Sequence, residues 1–278
     1  MKSRYEINEN KRKQEKAEKK RSFLKKFFIF LFIVLILICL YGKFIEPNIL
    51  AIREYNIQND GIPDSFEGVK LVQFSDLHYG IGKSQYKLKN MIDKNYSPTD
   101  DDVKLITDSL ARINANLGKY ACIGNHDVKS EHFDNIMYDS DFKILKNNYD
   151  TIYNKTNKPI LLYGLDNVTY GTPKIDMISD KAIDNIPYKI VILHEPDYVD
   201  EFIDNYDVNL ILAGHSHNGQ ARLPKIRPIY LPKGAKTYYG NSYKINNSEL
   251  YISNGVGNSI IDFRLFDTPS ISLFRFTK

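Results

Sequence analysis

With 278 residues, 42% of them apolar, the chain can bury one full core, and it reads as one soluble domain with an appendage. Its net charge of +4 hides a division: residues 1–26 hold eleven Lys or Arg against four Glu, a net +7, which leaves the rest at −3 and excludes a basic groove for nucleic acid. The two cysteines, Cys39 in an apolar run and Cys122 in a predicted strand, exclude a disulfide framework and a thiolate metal knuckle.

The basic stretch runs straight into sixteen uncharged residues, Phe27 to Gly42, flanked by Lys25 and Lys26 on one side and Lys43 on the other. The run is slightly shorter than the roughly 20 residues that usually cross a bilayer, but flanking lysines can snorkel to extend it, and it is too apolar for a surface helix. A cleaved signal peptide competes with a retained anchor. No clean small-x-small cleavage site follows the run and no small residue precedes Cys39 for lipid attachment, which favours the anchor. The positive-inside rule then keeps residues 1–26 in the cytoplasm and places everything after Lys43 outside the cell membrane, in a single-pass arrangement. The expected divisions are a basic tail at 1–26, an anchor at 27–43, a linker with an edge strand at 44–66 and a globular domain at 67–278.

Ala51 to Asn56 reads as that edge strand and Val69 to Phe74 as the first buried strand. Leu88, Met91 and Ile92 have helical spacing within Lys87 to Lys94. Val103, Ile106, Leu110, Ile113 and Leu117 recur at three- and four-residue steps and predict a second helix that stops at Gly118, with Pro98, Thr99 and Asp102 forming a capping-box-like start. Capping and the helix dipole account for the Asp100 to Asp102 triplet. Beyond it, Tyr120 to Ile123 predicts a strand and Glu131 to Lys146 a helical stretch. Strands are predicted at Thr151 to Tyr153, Ile160 to Leu165, Ile190 to Leu193 and Leu210 to Ala213, the last two separated by a short helix, with closing strands at Leu250 to Asn254 and Ser270 to Phe276.

Five of the six histidines stand in four short blocks, each just after a buried-strand run: DLH with Asp76 and His78, GNHD with Asn125, His126 and Asp127, LHEPD with His194, and GHSH with His215 and His217. In open α/β sheets the chemistry gathers at the strands' carboxyl ends, so four such ends present these residues to one point. Asp-x-His and His-x-His each aim two ligands the same way from an extended chain. Either alone is weak and usually structural; together they read as one metal-centred site. Imidazole, carboxylate and amide oxygen in one set suit Mn²⁺, Fe or Zn²⁺. Gly124 and Gly214 are expected to let the backbone turn sharply as the strands end.

These blocks, in this order, resemble the calcineurin-like metallophosphoesterase family, and AGHSHNGQARLP resembles its membrane-associated bacterial branch, over roughly Val69 to the C-terminus. The resemblance implies a four-layer α/β/β/α sandwich, here with an N-terminal transmembrane helix. It implies two divalent metal ions, one on Asp76, His78 and His217 and the other on Asn125, His194 and His215, with a metal-activated hydroxide attacking a phosphate mono- or diester. His126 would be the general acid and Asp127 would orient its ring. The substrate would be a phosphoester of lipid or envelope material, with the bilayer as the other partner.

The family pattern also has a strand ending in Gly-Asp between DLH and GNHD, whose carboxylate bridges both metals, and no Gly-Asp pair occurs between Tyr79 and Lys119. Two predicted helices follow one another there with no strand between, as though a strand and its flanks were lost near Lys94 and Asn95. Without a bridging anion two close cations repel, so the expectation falls to one metal or none unless another residue, such as one of Asp100 to Asp102, takes that place. Two readings stand: a membrane-anchored, metal-dependent phosphoesterase, and a non-catalytic member of the fold acting as a binding or scaffold module. Pro224 to Tyr243 reads as a long loop bordering the pocket.

Overall fold

The basic stretch and the uncharged run form one continuous helix, α1 (Arg4–Leu40), in the computed structural model, which describes residues 4–78, 100–179 and 183–278. A window within Lys11–Asn48 has mean hydropathy 2.8, which makes this helix a candidate membrane span. It belongs to a unit that ends at Ile45, and a second unit runs from Glu46 to Lys278.

The second unit contains, in chain order, β1 (Ala51–Gln58), β2 (Lys70–Gln73), α2 (Asp100–Ala111), β3 (Tyr120–Ala121), α3 (Phe133–Asp139), β4 (Lys143–Ile144), β5 (Asn148–Ile152), β6 (Ile160–Gly164), β7 (Lys189–Ile192), β8 (Leu210–Ala213), β9 (Ser242–Ile245), β10 (Ser248–Ile252) and β11 (Ser270–Thr277). Three sheets result: β1-β11-β2, the six-stranded β5-β6-β7-β8-β10-β9, and the pair β3-β4. β6, β7, β8 and β10 run parallel at the centre of the largest sheet, with antiparallel β5 and β9 at its edges.

The period of two along each strand sorts the core into two clusters. Ile160, Leu162, Ile190, Leu210 and Leu212 face the smaller sheet and pack on Ile57, Phe274 and Phe276. Their alternates Leu161, Tyr163, Val191, Ile211 and Leu250 face Ile178, Val199 and Phe202, which lie in or near the single-turn helices at Asp176–Ser179 and Pro196–Glu201. The central strands are thus covered on both faces, which is why their sequences are continuous apolar runs rather than alternating ones. α2 packs against α3, and α3 against β4. This is the mixed α/β architecture expected.

Two local expectations differ. The second helix is expected to run to Leu117, but α2 stops at Ala111, because Asn114 and Asn116 favour turns over helix, and the chain reverses through Gly118 at φ 105°. The stretch at 131–146 is only partly helical: α3 ends at Asp139 and the chain passes through Asp141 at φ 63° into β4. The edge strand expected at 51–56 is β1, which lies at the edge of the β1-β11-β2 sheet and pairs with β11 along its whole length, and residues 46–66 belong to the second unit. Asp100, Asp101 and Asp102 occupy the first turn of α2, where the helix dipole favours them. The predicted helix at Lys87–Lys94, the Thr99 cap and the junction at Lys94 and Asn95 lie outside the described residues.

Candidate metal centre

The four histidine-bearing blocks follow β2, β3, β7 and β8, and their side chains converge on Asp76. Its Oδ2 is occupied by protein donors, Ser75 Oγ and the His215 amide at 3.0 Å. That leaves Oδ1 facing Nε2 of His217, His78 and His194 at 3.4, 3.9 and 4.0 Å. His78 Nε2 lies 3.1 Å from His217 Nε2, and Asp76, His78 and His217 offer donor atoms within 4.8 Å of one another. On the other side His194 Nε2 lies 3.0 Å from Asn125 Oδ1 and 3.1 Å from His215 Nδ1. The six predicted ligand residues are therefore brought together as two three-donor groups with Asp76 Oδ1 between them.

The donor chemistry fits divalent cations. His215 donates from Nε2 to the Lys233 carbonyl at 2.9 Å, a tautomer that leaves the Nδ1 lone pair aimed inward. His217 Nδ1 is buried without a hydrogen-bond partner among the described residues, so the polar contacts of that ring are all made through Nε2. Burial pulls His78 down to about 3 and His194 down to about 4, so both rings are neutral at neutral pH and can act as ligands. For Asp76 burial pushes upward, but His217, His194 and His78 around it together outweigh that push and hold the carboxyl well below its usual value. An ionised oxygen, an amide oxygen and neutral ring nitrogens make up a set for Mn, Fe or Zn rather than for an oxygen-only ion.

Backbone geometry at the site is unusual. Asp76, His78, His215 and His217 all take positive φ, at 52°, 40°, 68° and 45°. Four left-handed non-glycine residues at one point are a mark of a site whose surroundings enforce strain. Gly124 and Gly214, by contrast, are not in the left-handed region and serve by being small. A Cβ on Gly214 would lie 2.8 Å from Asp76 Oδ2 and from Ser75 Oγ, and one on Gly124 would lie 3.1 Å from His194 Cε1. The sharp turns expected of these glycines are made by the ligands themselves.

His126 lies at the border of the cluster, its ring centroid 5.4 Å from that of His78, and the partial burial of that ring lowers its pKa from the ordinary value. Among the described residues Asp127 makes no hydrogen bond to that ring. Its Oδ2 accepts the Gly124 amide at 2.8 Å, so the carboxylate closes the turn after β3, and burial pushes its pKa up to about 6.

Two buried groups that support the site were not expected from the sequence. Glu195, beside His194, accepts from Asn167 Nδ2 at 2.7 Å, from Thr169 Oγ1 at 2.9 Å and from the Val168 amide at 3.1 Å. Arg264, 0% exposed, donates to Asn258 Oδ1 at 2.9 Å, to the carbonyls of Asn254 and Gly255 at 3.1 and 3.2 Å and to that of Gly257, and pairs with Asp267 at 3.4 Å. The loop it fastens donates back to the ligand strand, Val256 N to Ser75 O at 3.0 Å and Gly257 N to Asp76 O at 2.8 Å. Glu195 carried one signal, its place next to a ligand; Arg264 carried none.

His132, at the start of α3, stands apart from the cluster. Replacing His217 with Ala is expected to weaken metal retention by roughly tenfold or more, whereas His132→Ala leaves it unchanged, as measured by elemental analysis after dialysis against Mn²⁺. Equal losses would show that the cluster is not the place of binding.

Residues 69–219 match the family model described as calcineurin-like phosphoesterase. The chain is 29% identical over 254 residues to the uncharacterized metallophosphoesterase YkuE of Bacillus subtilis, covering 84% of this chain and 88% of that one. It is 27% identical over 158 residues to the phosphodiesterase YaeI of Escherichia coli, 55% of this chain and 56% of that one. It is 23% identical over a 317-residue alignment to the UDP-2,3-diacylglucosamine pyrophosphatase LpxG of Chlamydia muridarum, 86% of this chain and 93% of that one. No solved structure matches the chain significantly.

Proposed function

The chain belongs to the calcineurin-like phosphoesterase family, and from that premise we propose that it is a membrane-anchored, metal-dependent hydrolase of phosphate mono- or diesters in lipid or envelope material. The observation that carries the reading is the convergence of Asp76 Oδ1 with ring nitrogens from three separate strand ends. Asp76, His78 and His217 would hold one divalent cation, and Asn125, His194 and His215 a second. Such cations supply Lewis acidity towards phosphoryl oxygens and acidify water.

The chain's own residues prepare that chemistry. Ser75 and the His215 amide hold one oxygen of Asp76 so that the other stays aimed at the cluster, and the Lys233 carbonyl fixes the His215 tautomer. His126, at the solvent side, would give a proton to a leaving oxygen; its lowered pKa makes it a stronger acid when protonated. A relative named for a diacylated sugar nucleotide supports an amphiphilic phosphoester as the substrate class.

Hydrolysis of bis-p-nitrophenyl phosphate by the full chain in detergent, with Mn²⁺ and with chelator, tests the activity alongside metal counting per chain. Two metals and chelator-sensitive turnover support the enzyme. One metal or none, without turnover, favours the binding or scaffold module, a reading supported by the missing Gly-Asp pair between Tyr79 and Lys119.

The eleven basic residues before Phe27 support a cytoplasmic tail and an outer domain. Protease added to intact cells is expected to remove the domain and spare the tail. Loss of the tail instead would reverse the orientation.

A further inference from the structure

The turn from His215 to Gln220 carries two loops whose exposed side chains the proposed chemistry does not use. The first follows it directly: Leu223, Ile226, Ile229 and Tyr230 are each more than half exposed, Ile229 completely. This loop is anchored to the site by its Lys233 carbonyl on His215, and Pro228 lies so close to Gly219 that a Cβ there would come within 2.2 Å of it. The second loop is fastened by Gln220, whose Nε2 donates to the carbonyls of Ile261 and Phe263 at 2.8 and 3.0 Å, and Ala221 bridges Leu265. Ile260 and Ile261 are exposed on it as well. Apolar side chains gathered on adjoining loops in this number mark a contact surface.

Charge indicates what that surface meets. From Val208 to Ser248 the chain has no Asp or Glu but has Arg222, Lys225, Arg227, Lys233, Lys236 and Lys244. The nearby carboxylate of Asp197 is engaged by the amides of Lys236, Thr237 and Tyr238, and Asp262 of the second loop accepts from Asn258. Covalent continuity points the same way. The buried Glu46, first residue of its unit, accepts from the amides of Phe266 and Asp267 at 2.9 and 2.8 Å, so the chain coming from α1 enters the domain beside the second loop.

We propose that these two loops dock on an anionic lipid surface, so that the metal cluster takes its phosphoester from an amphiphile held in the bilayer. Exposed aliphatic and aromatic side chains among lysines and arginines are the combination that enters the headgroup region of such a surface. The proposal deepens the membrane-anchored phosphoesterase reading and rests on it.

A nitroxide at position 229 tests it in the full chain. Ile229→Cys is made in a chain that carries Cys39→Ser and Cys122→Ala, so that the label has a single thiol to react with. With one copy per nanodisc, power-saturation EPR compares collisions with oxygen, which concentrates in lipid, and with a water-soluble nickel chelate. A Tyr138→Cys label on α3, where the native side chain is 83% exposed, is the aqueous reference. The expected oxygen-to-nickel ratio is several-fold higher at 229 than at 138 in discs containing phosphatidylglycerol. Equal ratios at the two positions overturn the proposal, and so does shielding from both reagents that requires two copies per disc, which would make the patch a self-contact. A chain inert towards phosphodiesters but lipid-buried at 229 would remove the catalytic reading and leave the docking standing.

Discussion

Asp76→Asn is expected to lower metal affinity by about 100-fold or more, equivalent to about 3 kcal/mol, and to bring phosphodiester turnover to background. The substitution keeps the side chain's shape and removes the charge that three imidazole nitrogens face within 4.0 Å. It also breaks an internal division of labour, because only a carboxylate can accept from Ser75 Oγ and the His215 amide with one oxygen while offering a second anionic oxygen to the cluster. Thermal unfolding gives an independent readout. Mn²⁺ at 100 times its Kd should stabilise the native chain by about 2.7 kcal/mol and raise Tm by roughly 8 °C, and the Asn variant at the same concentration should lose most of that rise. An Asp76→Asn chain that binds Mn²⁺ as tightly as the parent would remove this carboxylate from the centre of the site.

Arg264→Met should cost about 3–5 kcal/mol of stability, a fall in Tm of roughly 10 °C by calorimetry, because it leaves the buried Asp267 carboxylate without its cation, although Asn218 and Asn254 still donate to it, and takes a donor from the carbonyls of Asn254, Gly255 and Gly257. Burial already pushes Asp267 up to about 6 against the pull of Arg264, and without that pull the group is further from ionising. Lys104→Met, which removes one exposed pair with Asp108 on α2, should cost only about 0.5 kcal/mol. Similar losses in the two variants would mean that the buried network contributes nothing beyond an ordinary surface pair. Since the same loop donates to Ser75 O and Asp76 O, the Arg264 variant is also expected to retain metal less well once folded.

The parts of this protein that were legible in its sequence are those where one local pattern has one physical cause. Ile190 to Leu193 and Leu210 to Ala213 read as buried strands because both faces of those strands are covered, which suppresses alternation. The histidine blocks were legible because histidine is scarce here and each block sits at the end of such a run. The two-residue strand β4 and the polar edge strand β9 carry too little periodicity to separate them from loops, and neither was expected. Asp127 reads as a partner of its neighbour His126, but sequence adjacency does not fix side-chain direction, and the hydrogen bond that its carboxylate accepts comes from the Gly124 amide. The Arg264 network joins residues from 254 to 267 to a ligand strand nearly two hundred positions earlier, and nothing local announces a contact of that kind.

The left-handed backbone at Asp76, His78, His215 and His217 narrows which sequences can occupy these positions, quite apart from the metal. Each such conformation disfavours an L-residue with a Cβ by about 1–2 kcal/mol, least for asparagine and aspartate, and far more for β-branched side chains. A library at position 215 screened only for folding, in the absence of metal, should therefore return His, Asn, Asp and Gly and be depleted of Val, Ile and Thr. Drift away from this chemistry would then pass through asparagine or glycine before reaching any aliphatic residue, so a descendant that had lost its metal would still carry the turn that once held it.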